Sequence, residues 1–424
     1  MFKNHPSAMK NLFFVEMWER FGFYILSAIY VLYMSKDLEF PDSKVAVIYG
    51  SFLFGSYVFP ILGGYLGDKV IGQIRTVRLG AILMGVGYFL LAISSIDLLL
   101  PFYIGLALIA SGTGIFKVNM SVMVGNLYRD KIELKDAGFN IYYMGVNLGA
   151  TLAPIAATIL GILFDDYRLS FWTAVLGMVI ALVVLKKGES KLQVADTHRS
   201  EELANHIAEN PEDPTEFWPR IVTLGILYVI AAFFWIPFYQ NGLALTLFAD
   251  RSTVGYQFLR PETYQFFNPV FILILTPPLL WLFGRLSLKK LEPSTPVKIF
   301  FGLVIMGLAM LIMVLASNMG GDGDVKIMSP AWLISTYFVI TLGEILISPM
   351  GLSYVSKVAP RKIQGIVMSG WYLSTAVGSG SSGIFGRFYG EMSHQQYFTL
   401  LAGISLFAAI LVLIFMKKLK RFAE

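Results

Sequence analysis

Glu16, Glu19, Arg20 and Tyr24 recur at intervals of three and four residues in FFVEMWERFGFY, residues 13–24. On a helix that spacing stacks all four on one face. Apolar residues crowd both sides of the segment. A charge at the bilayer centre costs roughly 2.5–3.5 kcal/mol on insertion scales, so three unpaired ones would cost on the order of 8–10 kcal/mol. That is comparable to the whole stability of a domain. The charges must therefore face a polar cavity and pair. Two carboxylates and one guanidinium leave one negative charge over, which requires a second cation or a proton. Lys117, in GTGIFKVNMSVMVGNLY, supplies the cation. No acid lies within one turn of it, so its partner comes from another helix, and Glu16 or Glu19 is the natural candidate. A structural ion pair would satisfy the same count. A titrating pair, whose partner can be exchanged, would also couple a proton to a rearrangement.

Glu344 is the lone charge in the core of a later apolar run, YFVITLGEILISPMGLSYVSK. Such a carboxylate faces a substrate cation or takes a proton; a protonated acid bonded to a neighbouring helix is the structural alternative. Ser348 lies one turn on, and Pro349 with Gly351 reads as a helix break. Tyr143 and Asn147, in GFNIYYMGVNLGATLAP, share a face at i,i+4. They suit a ligand carrying donors and acceptors, or serve as glue between helices. The histidines (His5, His198, His206, His394) fall in terminal, linker or loop segments without metal-ligand spacing, and the chain has no cysteine. Disulfides and thiolate metal sites are excluded. No cofactor, no metal and no enzymatic cluster are expected.

The elements that carry these groups follow from composition. The 424 residues are 56% hydrophobic and 14% charged, against about 25% charged in soluble domains. Mean hydropathy is +0.66. Apolar runs of roughly 20 residues, the reach of a helix across a bilayer, recur along the whole chain. The fold class is an all-α polytopic membrane protein; β-barrels read as short alternating segments instead. About twelve spans are expected, beginning near Asn11, Val45, Thr76, Leu98, Ala137, Arg168, Trp218, Tyr264, Pro296, Ser329, Ile363 and Gln395. MFKNHPSAMK and the charged first span make a poor signal peptide, so none is expected to be cleaved. With a cytoplasmic N-terminus, 24 of the 33 Lys and Arg fall on the cytoplasmic side, 7 outside and 2 within spans. That positive-inside asymmetry also returns the C-terminus to the cytoplasm. It accounts for the net charge of +5 without a nucleic-acid partner. A plasma (inner) membrane location is expected.

The longest polar stretch, Lys186 to Arg220, splits the spans six and six. It is too short for a core of its own and reads as a cytoplasmic linker. The expected domains are thus an N-terminal six-helix bundle (1–185), the linker (186–219) and a C-terminal six-helix bundle (220–424). That is the plan of a major-facilitator transporter, with a cavity between the bundles at the membrane midplane. After the second span, GGYLGDKVIGQIRTVRLG reads as a cytoplasmic latch. Gly64 and Gly67 would let helices approach closely, and Asp68 would meet Lys69, Arg75 and Arg78. FGRLSLKKLEPSTPVKIFFG is a faint echo in the second half.

Taken together, these residues resemble the proton-dependent oligopeptide transporter (POT/PTR) family of the major facilitator superfamily, over the length of the chain. The hallmark E-x-x-E-R-F-x-Y-Y is met by Glu16, Glu19, Arg20, Phe21, Phe23 and Tyr24. G-T-G-x-x-K-x-N is met at Gly112, Thr113, Gly114, Lys117 and Asn119, and F-Y-x-x-I-N-x-G at Tyr142, Tyr143, Asn147 and Gly149. FYQNGLALTLFADR resembles F-E-Q-x-G-x-x-L-x-L-F-A at Phe238, Gln240, Gly242, Leu245, Leu247, Phe248 and Ala249. Asn268 and Pro269 fit the family's Asn-Pro, Gly343, Glu344, Ser348 and Pro349 its G-E-x-x-x-S-P, and Trp371 the tryptophan that follows.

The resemblance implies a twelve-helix proton symporter importing a peptide-like or other amine- or amide-bearing solute by alternating access; a same-fold exporter of a metabolite, drug or siderophore is the alternative. It implies that Asn147 and Glu344 hold the substrate's amino end. It implies that Lys117 meets the carboxylate end, and that Tyr24, Tyr57 and Tyr143 line the pocket. Gln240, Asn268, Ser348 and Trp371 complete the implied site. The partners are a small-molecule substrate, protons and membrane lipid, with the protein a monomer. Three positions depart from the family pattern. Phe23 replaces a tyrosine, Ser27 stands where the family has a first-helix arginine, and Tyr239 stands where it has the glutamate of F-E-Q. One cation and one acid are thereby missing, which points away from ordinary dipeptides and toward amides, hydroxyls and amines.

Overall fold

The structure, a computed structural model, describes residues 2, 5–129, 131, 134–196, 214–360 and 363–422. Among them are twelve long helices. Inside a bilayer no water can satisfy backbone N–H and C=O groups, so an apolar run must satisfy its own by coiling. The first six are α1 (Ala8–Leu32), α2 (Asp42–Tyr65), α3 (Gln73–Ile93), α4 (Leu100–Leu127), α5 (Lys135–Phe164) and α6 (Tyr167–Leu192). After the segment between the halves come α7 (Phe217–Arg251), α8 (Phe267–Leu288), α9 (Thr295–Met319), α10 (Pro330–Val358), α11 (Gln364–Gly386) and α12 (His394–Arg421). Ten of the twelve are long and apolar enough to cross a membrane. The other two are α1, with its buried charges, and α11, whose WYLSTAVGSGSSG is rich in small polar residues.

Three details differ from the sequence reading. α6 continues as helix to Leu192, followed by a 3-10 turn at Gln193–Ala195, inside the stretch read as linker. Residues 197–213, with His198 and His206, lie outside the described residues. α10 does not break at Pro349 and Gly351 but runs through both. Proline is tolerated within membrane helices where neighbours re-satisfy the freed carbonyl. α7, by contrast, is interrupted, with a 3-10 turn at Tyr239–Gly242 just after Pro237.

The helices form two units. The first holds Met1–Phe40, Gly55–Ala204 and Gln257–Phe266; the second holds Pro41–Phe54, Asn205–Tyr256 and Phe267–Glu424. In the first unit α1 is the central helix. Of its 25 residues 17 are buried, Glu16, Glu19 and Arg20 among them, so its charges are kept from lipid. Its neighbours come close through glycine: a Cβ at Gly149 of α5 would lie 2.9 Å from Phe21 N. α3 and α4 meet through two glycine pairs. A Cβ on Gly80 would sit 2.7 Å from Gly112 O, and one on Gly87 2.7 Å from Gly105 O. Within each helix the two glycines are seven residues apart, two turns, so both pairs lie on one seam.

The second unit repeats the device once. Gly302 of α9 and Gly343 of α10 face each other, a Cβ on Gly343 falling 2.9 Å from Gly302 O. Its α7 packs on α11 through Gly378, whose Cβ would lie 2.6 Å from Ala232 O. The first half of α2 joins this unit at Gly50, 2.7 Å by the same measure from Gly383 Cα.

Candidate functional site

In the first unit, α1 presents Glu16, Glu19 and Arg20 to α4. Arg20 holds Glu19 in a two-point clasp, Nε donating to Oε2 and Nη2 to Oε1 at 2.6 Å. Thr113 of α4 bridges the same pair. Its Oγ1 accepts from Arg20 Nη2 at 3.1 Å and donates to Glu19 Oε1 at 2.9 Å. Glu16 is held more loosely, with Oε1 3.5 Å from Arg20 Nε and Oε2 lacking a hydrogen-bond partner among the described residues. All three charged residues are at most 5% exposed. Fork-shaped guanidinium recognition of a carboxylate accounts for the asymmetry: Glu19 takes the Nε–Nη2 edge of Arg20 in two-point fashion, and Glu16 approaches only the Nε that already donates to Glu19.

Lys117 does not take the partner expected of it. Among the described residues it makes no ion pair; its Nζ stands 5.5 Å from the centroid of the Tyr57 ring. The reason is local. The arginine on α1's own face has already engaged both carboxylates, so the ammonium rests on a ring face, a weaker but favourable site for a cation. It remains in the electrostatic reach of Glu16 and Glu19. The network is therefore charge-balanced, two acids against two cations, with one acid oxygen and one cation uncommitted to each other. Thr113 was not picked out as a site residue from sequence, though it lies one turn before Lys117 on the same face.

Of the remaining first-unit residues, Tyr24, Ser27 and Tyr57 are half-buried and Tyr143 is half-exposed. Asn147 is buried, and its Nδ2 donates to Tyr143 O of its own helix at 2.8 Å rather than to a neighbouring one.

In the second unit Glu344 of α10 meets Asn268 at the start of α8, whose Nδ2 donates to Glu344 Oε2 at 2.8 Å and to Thr341 Oγ1 at 3.2 Å. No cation pairs with Glu344 among the described residues. Ser348 is half-buried one turn on. Gln240 is fully buried and braces the interruption of α7, its Nε2 donating to Ser382 O at 2.8 Å and Ser382 Oγ at 2.9 Å. Tyr49 and Tyr337 donate to the exposed carbonyls of that interruption, Tyr239 O at 2.6 Å and Asn241 O at 2.9 Å. The Tyr239 ring lies against Trp235, centroids 5.7 Å apart. Trp371 is buried with its ring against Gly351, where a Cβ would strike it.

Sequence comparison agrees with this geometry. The profile of the Major Facilitator Superfamily matches residues 12–369. Dipeptide and tripeptide permease A of Klebsiella pneumoniae is 30% identical, over 88% of this chain and 82% of its own. An uncharacterized transporter of Bacillus subtilis, YclF, is 30% identical over 99% and 95%. A crystal structure of a mutant of the peptide transporter POT superposes with a TM-score of 0.89 at 29% identity, covering 100% of this chain and 97% of that one. The chain belongs to the POT/PTR family of the major facilitator superfamily.

As a POT-family member it is an integral membrane transporter, not an enzyme. Its latch segment departs from the sequence reading in two ways. The glycines that face α4 are Gly63 and Gly67, four apart on one side of α2 and its π-helical end. Asn119 of α4 donates to Gly63 O at 2.8 Å and lies where a Cβ of Gly67 would fall. Gly64, a third of a turn away, has open space at its Cβ position. The charges also pair differently. Arg78 takes Glu189 of α6 at 2.6 Å, and Asp68 accepts from Gln73 Nε2 at 3.2 Å, while Lys69 and Arg75 stay exposed. Asp196, just past α6, caps α3 by accepting from Gln73 N at 2.6 Å and Ile74 N at 3.3 Å. In the echo segment of the second unit, Lys298 donates to Glu292 at 2.5 Å and holds that carboxyl below its ordinary range.

Proposed function

We propose that this transporter is a proton-coupled symporter that imports a peptide-like or other amine- or amide-bearing small solute by alternating access. The observation that carries the reading is the imbalance inside a balanced network. Among the described residues Glu19 is saturated by Arg20 and Thr113, whereas Glu16 keeps one oxygen without a well-formed hydrogen bond and Lys117 makes no ion pair with an acid. A proton arriving on Glu16 weakens its hold on Arg20. A proton leaving restores that hold. Either exchange moves α4 relative to α1, which is how protonation becomes movement.

Glu344 with Asn268 and Ser348 is proposed to receive a cationic or donor group of the substrate. Lys117, Tyr24, Tyr57 and Tyr143 are proposed to receive acceptor groups, with Asn147 in the role the family resemblance implies. The names of relatives support a peptide-like cargo: a 28% identical protein of Yersinia enterocolitica is called a peptide transporter, and the POT crystal form at 29% identity has been solved with alafosfalin. Ser27 and Tyr239 favour amides, hydroxyls and amines over free carboxylates. Export of a metabolite, drug or siderophore by the same fold is the alternative reading. Termini and linker on the cytoplasmic side, six-helix halves split by that linker, a monomer and residence in the plasma membrane complete the proposal.

Purified protein screened by thermal shift against peptides, amines, siderophores and organic acids identifies a ligand; saturation at 100 times the dissociation constant adds about 2.7 kcal/mol of stability. Proteoliposomes are then given an inward proton gradient. Accumulation of that ligand above its outside concentration, abolished by a protonophore, is the expected result. Accumulation only under an opposed gradient would assign export instead.

A further inference from the structure

Glu262 is a buried carboxylate that the transport reading leaves unused. It lies in the 3-10 segment Pro261–Phe266, which belongs to the first unit although α8, which it leads into, belongs to the second. Four contacts fasten this strap to the last turns of α5. Arg260 Nη1 donates to Gly161 O at 3.0 Å, and its Nη2 to Asp165 Oδ1 at 2.8 Å. Thr263 Oγ1 and Thr158 Oγ1 are 2.7 Å apart. Glu262 itself sits where Gly161 has no side chain; a Cβ there would fall 2.9 Å from its Oε1.

Glu262 is 0% exposed, and neither of its oxygens has a well-formed hydrogen bond among the described residues. Its compensation is the Arg260 guanidinium, with Nε 2.9 Å from Oε1. The charged groups facing it are Arg260 on its own segment, Asp165 at the end of α5 and Lys36 at the end of α1, with Tyr167 of α6 near Arg260. A carboxyl so far from water persists either as an anion beside a cation or as a neutral acid. The two states hold Arg260 differently. The anion keeps the guanidinium between a buried acid and the α5 carbonyl. The neutral acid leaves it to Asp165, whose side chain is 84% exposed and therefore a weak partner.

We propose that Glu262 is a proton-binding site of the outer side, at the end of the first unit where α5 finishes and α6 begins. Its ionised form fastens the 260–263 strap to α5, and its protonated form loosens it. Because the strap is continuous with α8, loosening frees the lead-in of that helix from α5 at the step when the transporter opens outward. Acid outside then favours opening toward the side where protons are taken up. Glu262 would act on the cycle at a distance from the α1–α4 charges.

The chain has no cysteine, so an introduced pair reports on itself alone. Thr158→Cys with Thr263→Cys places two thiols across the strap of the full-length protein in proteoliposomes. The rate of oxidant-driven crosslinking is read at alkaline and at acidic external pH, in the otherwise native background and with Glu262→Gln or Arg260→Gln added. Thiol ionisation acts alike in all backgrounds, so the ratio between them isolates the strap. The expected result is an acid-induced slowing about five- to tenfold greater in the native background than in either variant. Equal slowing in all three would overturn the proposal. Two variants guard against one failing to fold, and no substrate is needed, so failure here is separable from failure of the symport reading. A crosslinked protein that still transported its screened ligand at the uncrosslinked rate would also overturn the strap's role in the cycle.

Discussion

Glu19 and Glu344 are both carboxylates set within long membrane helices, yet their surroundings differ in kind. Glu19 sits in a network that closes on itself: an arginine clasps it, a threonine bridges the clasp, and a second acid and a lysine complete a neutral set. Among the described residues Glu344 has only the amide of Asn268. A neutral donor satisfies one oxygen and leaves the charge. The first arrangement can rearrange without importing anything but a proton, because every charge has an alternative partner nearby. The second is incomplete until something positive arrives. The difference teaches a division of labour: exchangeable ion pairs for coupling, an uncompensated acid for recognition.

The sharpest way to break the comparison is to remove Lys117 or Glu19. Lys117→Ala or Glu19→Gln is expected to abolish proton-driven accumulation while sparing exchange of substrate across the membrane. Undiminished uphill uptake in both variants would mean that the network is only structural. Glu344→Gln comes next. Losing one partner of a buried charged contact costs roughly 2–5 kcal/mol, tens- to thousands-fold in affinity. If binding of the identified ligand is unchanged, Glu344 handles protons rather than substrate, and the proposed division fails.

Two smaller effects would sharpen it. Ser27→Arg restores a guanidinium fork to α1, so it is expected to improve dipeptide competition or to weaken the native ligand. The check is a titration of dipeptides against that ligand in both proteins. Dipeptides that bind the unmodified protein as tightly as its best ligand would show that Lys117 alone suffices. Thr113→Val removes one bridging hydroxyl, worth about 1 kcal/mol. It is expected to change accumulation a few-fold and to leave Glu344-dependent affinity untouched; a matching loss of affinity would tie the two regions together.

Much of this was legible in the chain. The starts of all twelve helices fall within three residues of the positions read from apolar runs, α8 among them, which starts at Phe267 after a 3-10 lead-in at Pro261. The charges of α1 announced a buried polar site because no lone helix could carry them in lipid. What could not be read was who pairs with whom. Lys117 lost its expected acids to Arg20 on their own helix, and where its ammonium comes to rest depends on how α4 is rotated. Of the two latch glycines Gly67 does face α4, but its companion there is Gly63 rather than Gly64, which only the positions of Ile115 and Asn119 reveal. Gln240 and Trp371 look like ligand groups in a motif, and nothing in the sequence shows that the Gln240 amide nitrogen is bonded to Ser382 or that the Trp371 ring lies on Gly351. Periodicity reports a residue's face, and the partner across that face belongs to tertiary packing.

The paired glycines of α3 and α4 make the two helices one stiff beam. Gly80 against Gly112 and Gly87 against Gly105 bring backbone to backbone at two points along the seam, and a joint pinned twice cannot pivot. A pull at one end of such a beam reaches the other end undiminished. Asp196 grips the beam where α3 begins, and Thr113 and Lys117 ride on its other member. A movement of the chain just past α6 is therefore a movement of the threonine and the ammonium past Glu16 and Glu19, by leverage rather than by any direct contact.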